Sequence, residues 1–191
     1  MQWRWIVAMM KKDWTERGKA FLTFWVGLFA MLFMPNDEWK LGGMAAIIVT
    51  AAFYYAYYNF TLEITRGTMP MLLGLPVPPV YIILAKFASM YSMCLITVNV
   101  PCALLFDAHL LYLYNAEMLF IATICMACSV LYEHPLAPVL PVAAILMAFQ
   151  RETAFKEFQP YEYKVATLAL ILTPLIAVGS TMIFKRQTAV R

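Results

Sequence analysis

From residue 80 to residue 106 the chain carries a single charged side chain, Lys86. Five other apolar runs stand beside it, at residues 20–34, 41–62, 118–132, 136–149 and 165–184. In hydrocarbon no water is present to satisfy backbone amides and carbonyls, so each run reads as a helix. The second, third and sixth are long enough to cross a core of about 30 Å unaided. The first, fourth and fifth are nearer about 15 residues, and need snorkelling flanks such as Lys19, a thinned bilayer or burial behind other helices. The fifth carries Pro138 and Pro141 after His134-Pro135, so it reads either as a short span or as a broken, re-entrant element. Composition agrees with lipid as the solvent: 63% of residues are hydrophobic and 13% charged, against about 25% charged in soluble domains. A chain of 191 residues has room for several spans, but not for spans plus a soluble catalytic domain. The net charge of +3 gives no support to nucleic-acid binding. The start, Met-Gln-Trp-Arg-Trp, does not have the order of a cleavable signal peptide.

Lysine and arginine set the expected orientation. With the N-terminus inside and six alternating spans, Arg4, Lys11, Lys12, Arg17, Lys19, Arg66, Lys86, Lys185, Arg186 and Arg191 fall on the inner side. Only Lys40, Arg151, Lys156 and Lys164 fall outside, and the positive-inside rule selects that arrangement. The sequence therefore predicts an all-α integral membrane protein in one transmembrane domain, with both termini cytoplasmic. Residues 1–17 place Trp3, Ile6, Val7, Met10 and Trp14 at helical spacing, with Arg4, Lys11 and Lys12 largely on other faces. This pattern suits an amphipathic helix lying in the cytoplasmic interface against membrane lipids, or a charged flank before the first span. On the outer side, Asp107 and Glu117 are expected to bracket a loop. Residues 150–164, which alternate charges with Phe155, Phe158 and Tyr161, read as a short amphipathic helix or a solvated loop.

Signatures of chemistry are sparse. The chain has no phosphate-binding loop, no nucleophile elbow and no zinc helix, so it is not expected to hold ATP, a catalytic triad or a metal of its own. His109 and His134 fall on opposite sides of the membrane in this topology. The cysteines, Cys94, Cys102, Cys125 and Cys128, sit in apolar runs and read as small packing residues; Cys125 and Cys128 have redox or metal spacing without further ligands nearby in sequence. Thr97 and Asn99 form the main deep polar pair, either hydrogen-bonding neighbouring helices or touching a substrate. Six rings crowd residues 53–60. Of these, Tyr54, Tyr57 and Tyr58 form either an interfacial belt or the lining of an inner cavity for amphipathic cargo.

The polar, Gly/Pro-rich hinge at residues 63–79 is the most specific stretch. Gly67 permits a sharp turn, Thr68 can cap a short helix, and Pro70 is tolerated in its first turn. Met69, Leu72 and Leu73 form an apolar face, and Pro76, Pro78 and Pro79 end the helix. Glu63-x-x-x-Gly67-Thr68, then Leu72-Leu73, Pro76-Val77 and Lys86, resembles the E-x-x-x-G-T…L-L…P-V…K pattern of exporter-type ABC transporter permeases, the ABC-2 family. In that family the segment lies between the second and third spans and forms the coupling helix. The topology is similar over essentially the whole chain. Pro70 and Pro78 depart from the residues common at those positions.

The resemblance implies a transport subunit, not an enzyme, in a prokaryotic inner membrane. It would export an amphipathic, lipid, peptide or drug-like substrate. Its partners would be two ATPase subunits, which bind the ATP and Mg, and a second copy of this chain or a related permease. Glu63 and Arg66 would make polar contacts and anchor the hinge, Gly67 and Thr68 would shape its turn, and Met69, Leu72 and Leu73 would fill a socket on the ATPase. The rival readings are a haem-handling permease of cytochrome c maturation and a membrane scaffold or immunity protein that transports nothing.

Overall fold

The computed structural model describes residues 2–31, 33–35, 37–105, 108–132, 134, 136–139, 141 and 159–190. Every regular element among them is helical: α1 (Gln2–Arg17), α2 (Lys19–Met31), α3 (Asp37–Ala56), α4 (Leu62–Thr65), α5 (Thr68–Leu73), α6 (Pro79–Leu105), α7 (Ala108–Tyr132) and α8 (Gln159–Val190). A π-helical turn at Tyr57–Thr61 joins α3 to α4, so the chain runs helically from Asp37 to Thr65. Among the described residues, three stretches are long and apolar enough to cross a membrane: Pro79–Val100, Leu111–Tyr132 and Tyr163–Lys185.

Helix α7 lies at the centre, packed on α3, α6 and α8, while α1 lies along α6. The described core is filled by Leu28, Ile48, Tyr55, Phe60, Ile83, Met90, Met93, Met118 and Met126, all fully buried. Several polar contacts between elements are hydroxyl pairs: Tyr55 Oη to Thr97 Oγ1 at 2.7 Å, Thr61 Oγ1 to Ser129 Oγ at 2.8 Å, and Tyr91 Oη to Thr123 Oγ1 at 2.8 Å. Such pairs suit a medium in which apolar faces gain little by leaving lipid and small polar groups hold helices together.

The outward face of α8 is apolar along its length: Val165, Leu168, Ile171, Leu175, Val178 and Met182 are all exposed. Its apolar window is 28% buried, against 56% for α6 and 61% for α7. A soluble protein would bury such a stripe, whereas a bilayer solvates it.

Three expectations change. Helix α7 begins at Ala108, so Glu117 lies inside a helix of 25 residues and does not close an outer loop; α6 and α7 are separated only by positions 106–107. The polar side chain of Asn115 is accommodated because its Nδ2 donates to Asn99 Oδ1 and to the Leu111 carbonyl, at 2.8 and 2.9 Å. The fourth apolar run is therefore not short. The outer segment expected at residues 150–164 is divided: residues 159–164 are the start of α8, and residues 150–158 lie outside the described residues. Of the fifth run, residues 136–139 and 141 are described, with a turn at 136–138, and the rest lies outside them.

Candidate functional site

The hinge is built from two short helices meeting at one glycine. Helix α4 ends with Arg66 N donating to the Leu62 carbonyl and Gly67 N to the Ile64 carbonyl, at 2.9 and 3.0 Å. Gly67 then adopts φ 69°, ψ 15°, in the left-handed region, and serves as the N-cap of α5. Reversal of the chain within one residue requires that conformation, which a Cβ disfavours. Thr68 is the first residue of α5 and does not cap it; its Oγ1 reaches back to the Glu63 carbonyl at 3.1 Å and ties the two helices together.

Beneath the hinge lies a buried cluster of four charges from three elements. On α1, Met9, Asp13 and Arg17 recur every four residues and face inward. Glu63 enters from α4 and Lys86 from the N-terminal part of α6; all four charged residues are 5% exposed or less. Lys86 Nζ donates to Asp13 Oδ1 at 2.8 Å and to Glu63 Oε1 at 2.7 Å. Arg17 Nη1 pairs with Asp13 Oδ1 at 2.8 Å and its Nη2 with Glu63 Oε1 at 3.6 Å. Each cation thus touches both anions, and the core of the cluster is formally neutral. Arg17 Nη1 also donates to Asn59 Oδ1. At the rim, Lys12 Nζ donates to Glu63 Oε1 at 3.3 Å while remaining 44% exposed. Further along α6, Trp14 Nε1 donates to Ser92 Oγ at 3.0 Å, fixing α1 a second time.

The π turn explains how Asn59 reaches the cluster. A turn of this kind accommodates an extra residue, and Asn59, Phe60 and Thr61 are consecutive and all buried. Asn59 meets Arg17, Phe60 packs edge-on to Phe184 at 5.9 Å, and Thr61 meets Ser129.

The network is not fully satisfied. Asp13 Oδ2, Glu63 Oε2 and Asn59 Nδ2 are buried without a hydrogen-bond partner among the described residues. Desolvating an ion costs several kcal/mol in a protein, on the order of what a close pair returns, so such a cluster contributes little net stability. Removing one member nevertheless strands its partners.

Of the residues singled out in the sequence, Glu63 sits in the cluster and Gly67 and Thr68 shape the turn above it. Arg66 is exposed and makes no ion pair among the described residues. Met69 is buried in the main core, and Leu72 and Leu73 are half-buried against the chain's own Met9, Ile82 and Ala85. The side that α5 leaves open carries Pro70 and Met71, the latter 75% exposed. Tyr54, Tyr57 and Tyr58 are half-buried and in ring contact, Tyr54 tilted against Tyr58 with centroids 4.3 Å apart and Tyr57 edge-on to Tyr58 at 5.5 Å. Thr97 and Asn99 serve interhelical bonds, to Tyr55 and Asn115 respectively. Among the described residues, no group of three His, Cys, Asp or Glu side chains is placed to hold a metal ion.

Sequence reading missed Asp13, Arg17 and Asn59. Their signal was present: Asp13 and Arg17 lie four residues apart in line with Met9, a stripe that competes with the tryptophan stripe of the same helix. In the fold the Met9 stripe faces inward, and Trp3, Trp5 and Val7 are left exposed. Asn59 was hidden in a run of aromatic residues.

Among the described residues, the fold and this cluster define an all-helical protein with three helices long and apolar enough to cross a membrane and a charge-locked hinge at one end of α6. Comparison with protein-family models, curated proteins and solved structures gave no match.

Proposed function

We propose that the chain is the transmembrane permease subunit of an ATP-binding-cassette transporter, with six spans, both termini in the cytoplasm and separate ATPase subunits docking at the hinge. One observation carries this reading. The residues of the sequence pattern, spread from Glu63 to Lys86, converge on one structure: Glu63 pairs with Lys86, Gly67 makes the turn, and Thr68 binds the Glu63 carbonyl. The pattern therefore describes a short helix locked to the base of a long apolar one, a form suited to receiving a push from a soluble partner.

Because Met69, Leu72 and Leu73 pack inward, the contact with the ATPase falls to Met71 as an apolar knob, flanked by Pro70 and Arg66. Leu72 and Leu73 are the floor that stops α5 from yielding under load. ATP-driven closure of two ATPases would press on Met71; the ion pairs of Glu63 would pass the displacement to α6, and α6 to its neighbours. The chain itself hydrolyses nothing, and ATP and Mg belong to the partner. The exported cargo is an amphipathic, lipid, peptide or drug-like molecule, and the membrane is a prokaryotic inner membrane.

The test is native mass spectrometry of the complex purified from its own host, with lipid retained. Two copies of an ATPase per assembly support the proposal. Purification of the chain with no nucleotide-hydrolysing partner, or with a haem Soret band instead, overturns it in favour of a scaffold or a haem-handling permease respectively.

A further inference from the structure

Helix α1 has no evident need for a buried carboxylate, yet Asp13 is fully buried on the face that meets α6. An aliphatic residue there would join Met9 in holding α1 against Ile82 and Ala85 of α6 without desolvating an ion. Asp13 instead joins cations from two elements through one oxygen: Lys86 of α6 and Arg17 of its own helix, each at 2.8 Å. Those same two cations hold Glu63, the only charged residue of α4, at 2.7 and 3.6 Å. Asp13 is thus the counter-anion that lets Lys86 and Arg17 stay buried next to a single hinge carboxylate. Its other oxygen, with those of Glu63 and Asn59 Nδ2, is left without a partner, a cost that packing alone does not explain.

We propose that Asp13 is a positioning residue which makes α1 a working part of the hinge, so that α1, the α4–α5 turn and the base of α6 move as one rigid body. The consequence for α1 is specific. It is not merely laid on the membrane surface; its displacement and that of α5 are the same displacement, and the turn at Gly18 lies between this body and α2. The inference deepens the permease reading and rests on it for its role in transport, but the rigid link itself is a property of the chain alone.

The experiment uses the full-length chain in lipid, with the native cysteines replaced and spin labels at two exposed positions, Ala8 on α1 and Gly74 at the end of α5. The parent should give one narrow distance distribution. Asp13→Asn leaves the buried core with two cations and one anion. It should broaden the distribution and, in the assembled transporter, lower coupled transport by about tenfold or more. Asp13→Glu keeps the charge and should restore most of both. Asp13→Asn with Lys86→Gln restores neutrality and should recover a narrower distribution than either single change, a non-additive result that loss of packing would not produce.

Where a single variant fails to fold, comparing its folded yield with that of the neutral double variant decides the same question. If the double is as poor as the sum of the singles, or if Asp13→Asn keeps the parent's distribution, Asp13 does not position the hinge. In the assembled transporter the parent distance should stay unchanged on ATP binding, and a shift there overturns the rigid-body claim. Should the distances behave as expected while no ATPase associates, the link stands and the permease reading falls.

Discussion

Gly67 offers the cleanest quantitative test of the hinge. It is the one described glycine with a positive φ, at 69°, and a Cβ built on it meets no atom within 4 Å. Any loss on substitution is therefore conformational and not steric, and can be worked from the backbone alone. The left-handed region costs an L-residue about 1–2 kcal/mol, with asparagine cheaper because its short amide bonds locally. A β-branched residue is a genuine outlier there. We predict that Gly67→Ala weakens docking of α5 by about 1 kcal/mol, Gly67→Val by about 2 kcal/mol, and Gly67→Asn by a few tenths.

These losses correspond to roughly fivefold, thirtyfold and less than twofold changes in the docked fraction. The assay is the labelling rate of a cysteine placed at Met69, which is 5% exposed and reacts only when α5 lifts. The native cysteines are replaced, and rates are read under conditions where opening is fast relative to labelling. The expected order is parent, Asn, Ala, Val, with spacings as above. If Gly67→Val labels at the parent rate, or Gly67→Asn is as damaging as Gly67→Val, then the left-handed turn is not what holds the hinge.

The remaining predictions separate the cluster, the docking face and the topology. Lys86→Met strands two buried carboxylates with one arginine and should cost about 3–5 kcal/mol in thermal or denaturant unfolding. Lys12→Ala, at a position 44% exposed, should cost no more than about 1 kcal/mol; equal effects would mean the cluster is not buried as described. Met71→Asp should abolish ATPase association at normal folded yield, whereas Met69→Asp, which buries an unpaired charge, should lose the folded chain itself; an assembled and active Met71→Asp complex would remove Met71 from the interface. Single cysteines at positions Gln2, Gln159 and Gln187, in a background without native cysteines, should react with an impermeant reagent from outside only at Gln159. Reaction at Gln187 from outside would mean an odd number of crossings.

The apolar runs by themselves determined the helical class and the placement of the longest helices. The run at 80–106 became α6 at Pro79–Leu105, and the run at 165–184 became the middle of α8. The reason is physical: a long stretch without polar side chains has only backbone polarity to satisfy, and a helix does so locally, whatever surrounds it. The hinge was legible for the same reason. Glycine acts through its own dihedrals, so the turn at Gly67 could be read without knowing the fold, whereas Thr68 does not cap α5 and the helix ends at Leu73, ahead of the prolines expected to stop it.

Tertiary structure alone decided everything that depends on a partner distant in sequence. Glu117 was expected to close an outer loop begun at Asp107; the helix instead runs through it, and Asn99, sixteen positions from Asn115, accommodates that residue's amide. The sequence showed the tryptophan stripe of α1, and the Lys86 cation of α6 with the Glu63 carboxylate of α4 favoured instead the stripe with Asp13 and Arg17 inward. Leu72 and Leu73 had the spacing of a docking face, and contact with Met9, Ile82 and Ala85 of the same chain leaves them half-buried, which their spacing alone did not show. Charge is the extreme case. Asp13, Arg17, Glu63 and Lys86 are ordinary surface residues when read singly, and only their convergence from three elements makes each one's burial affordable.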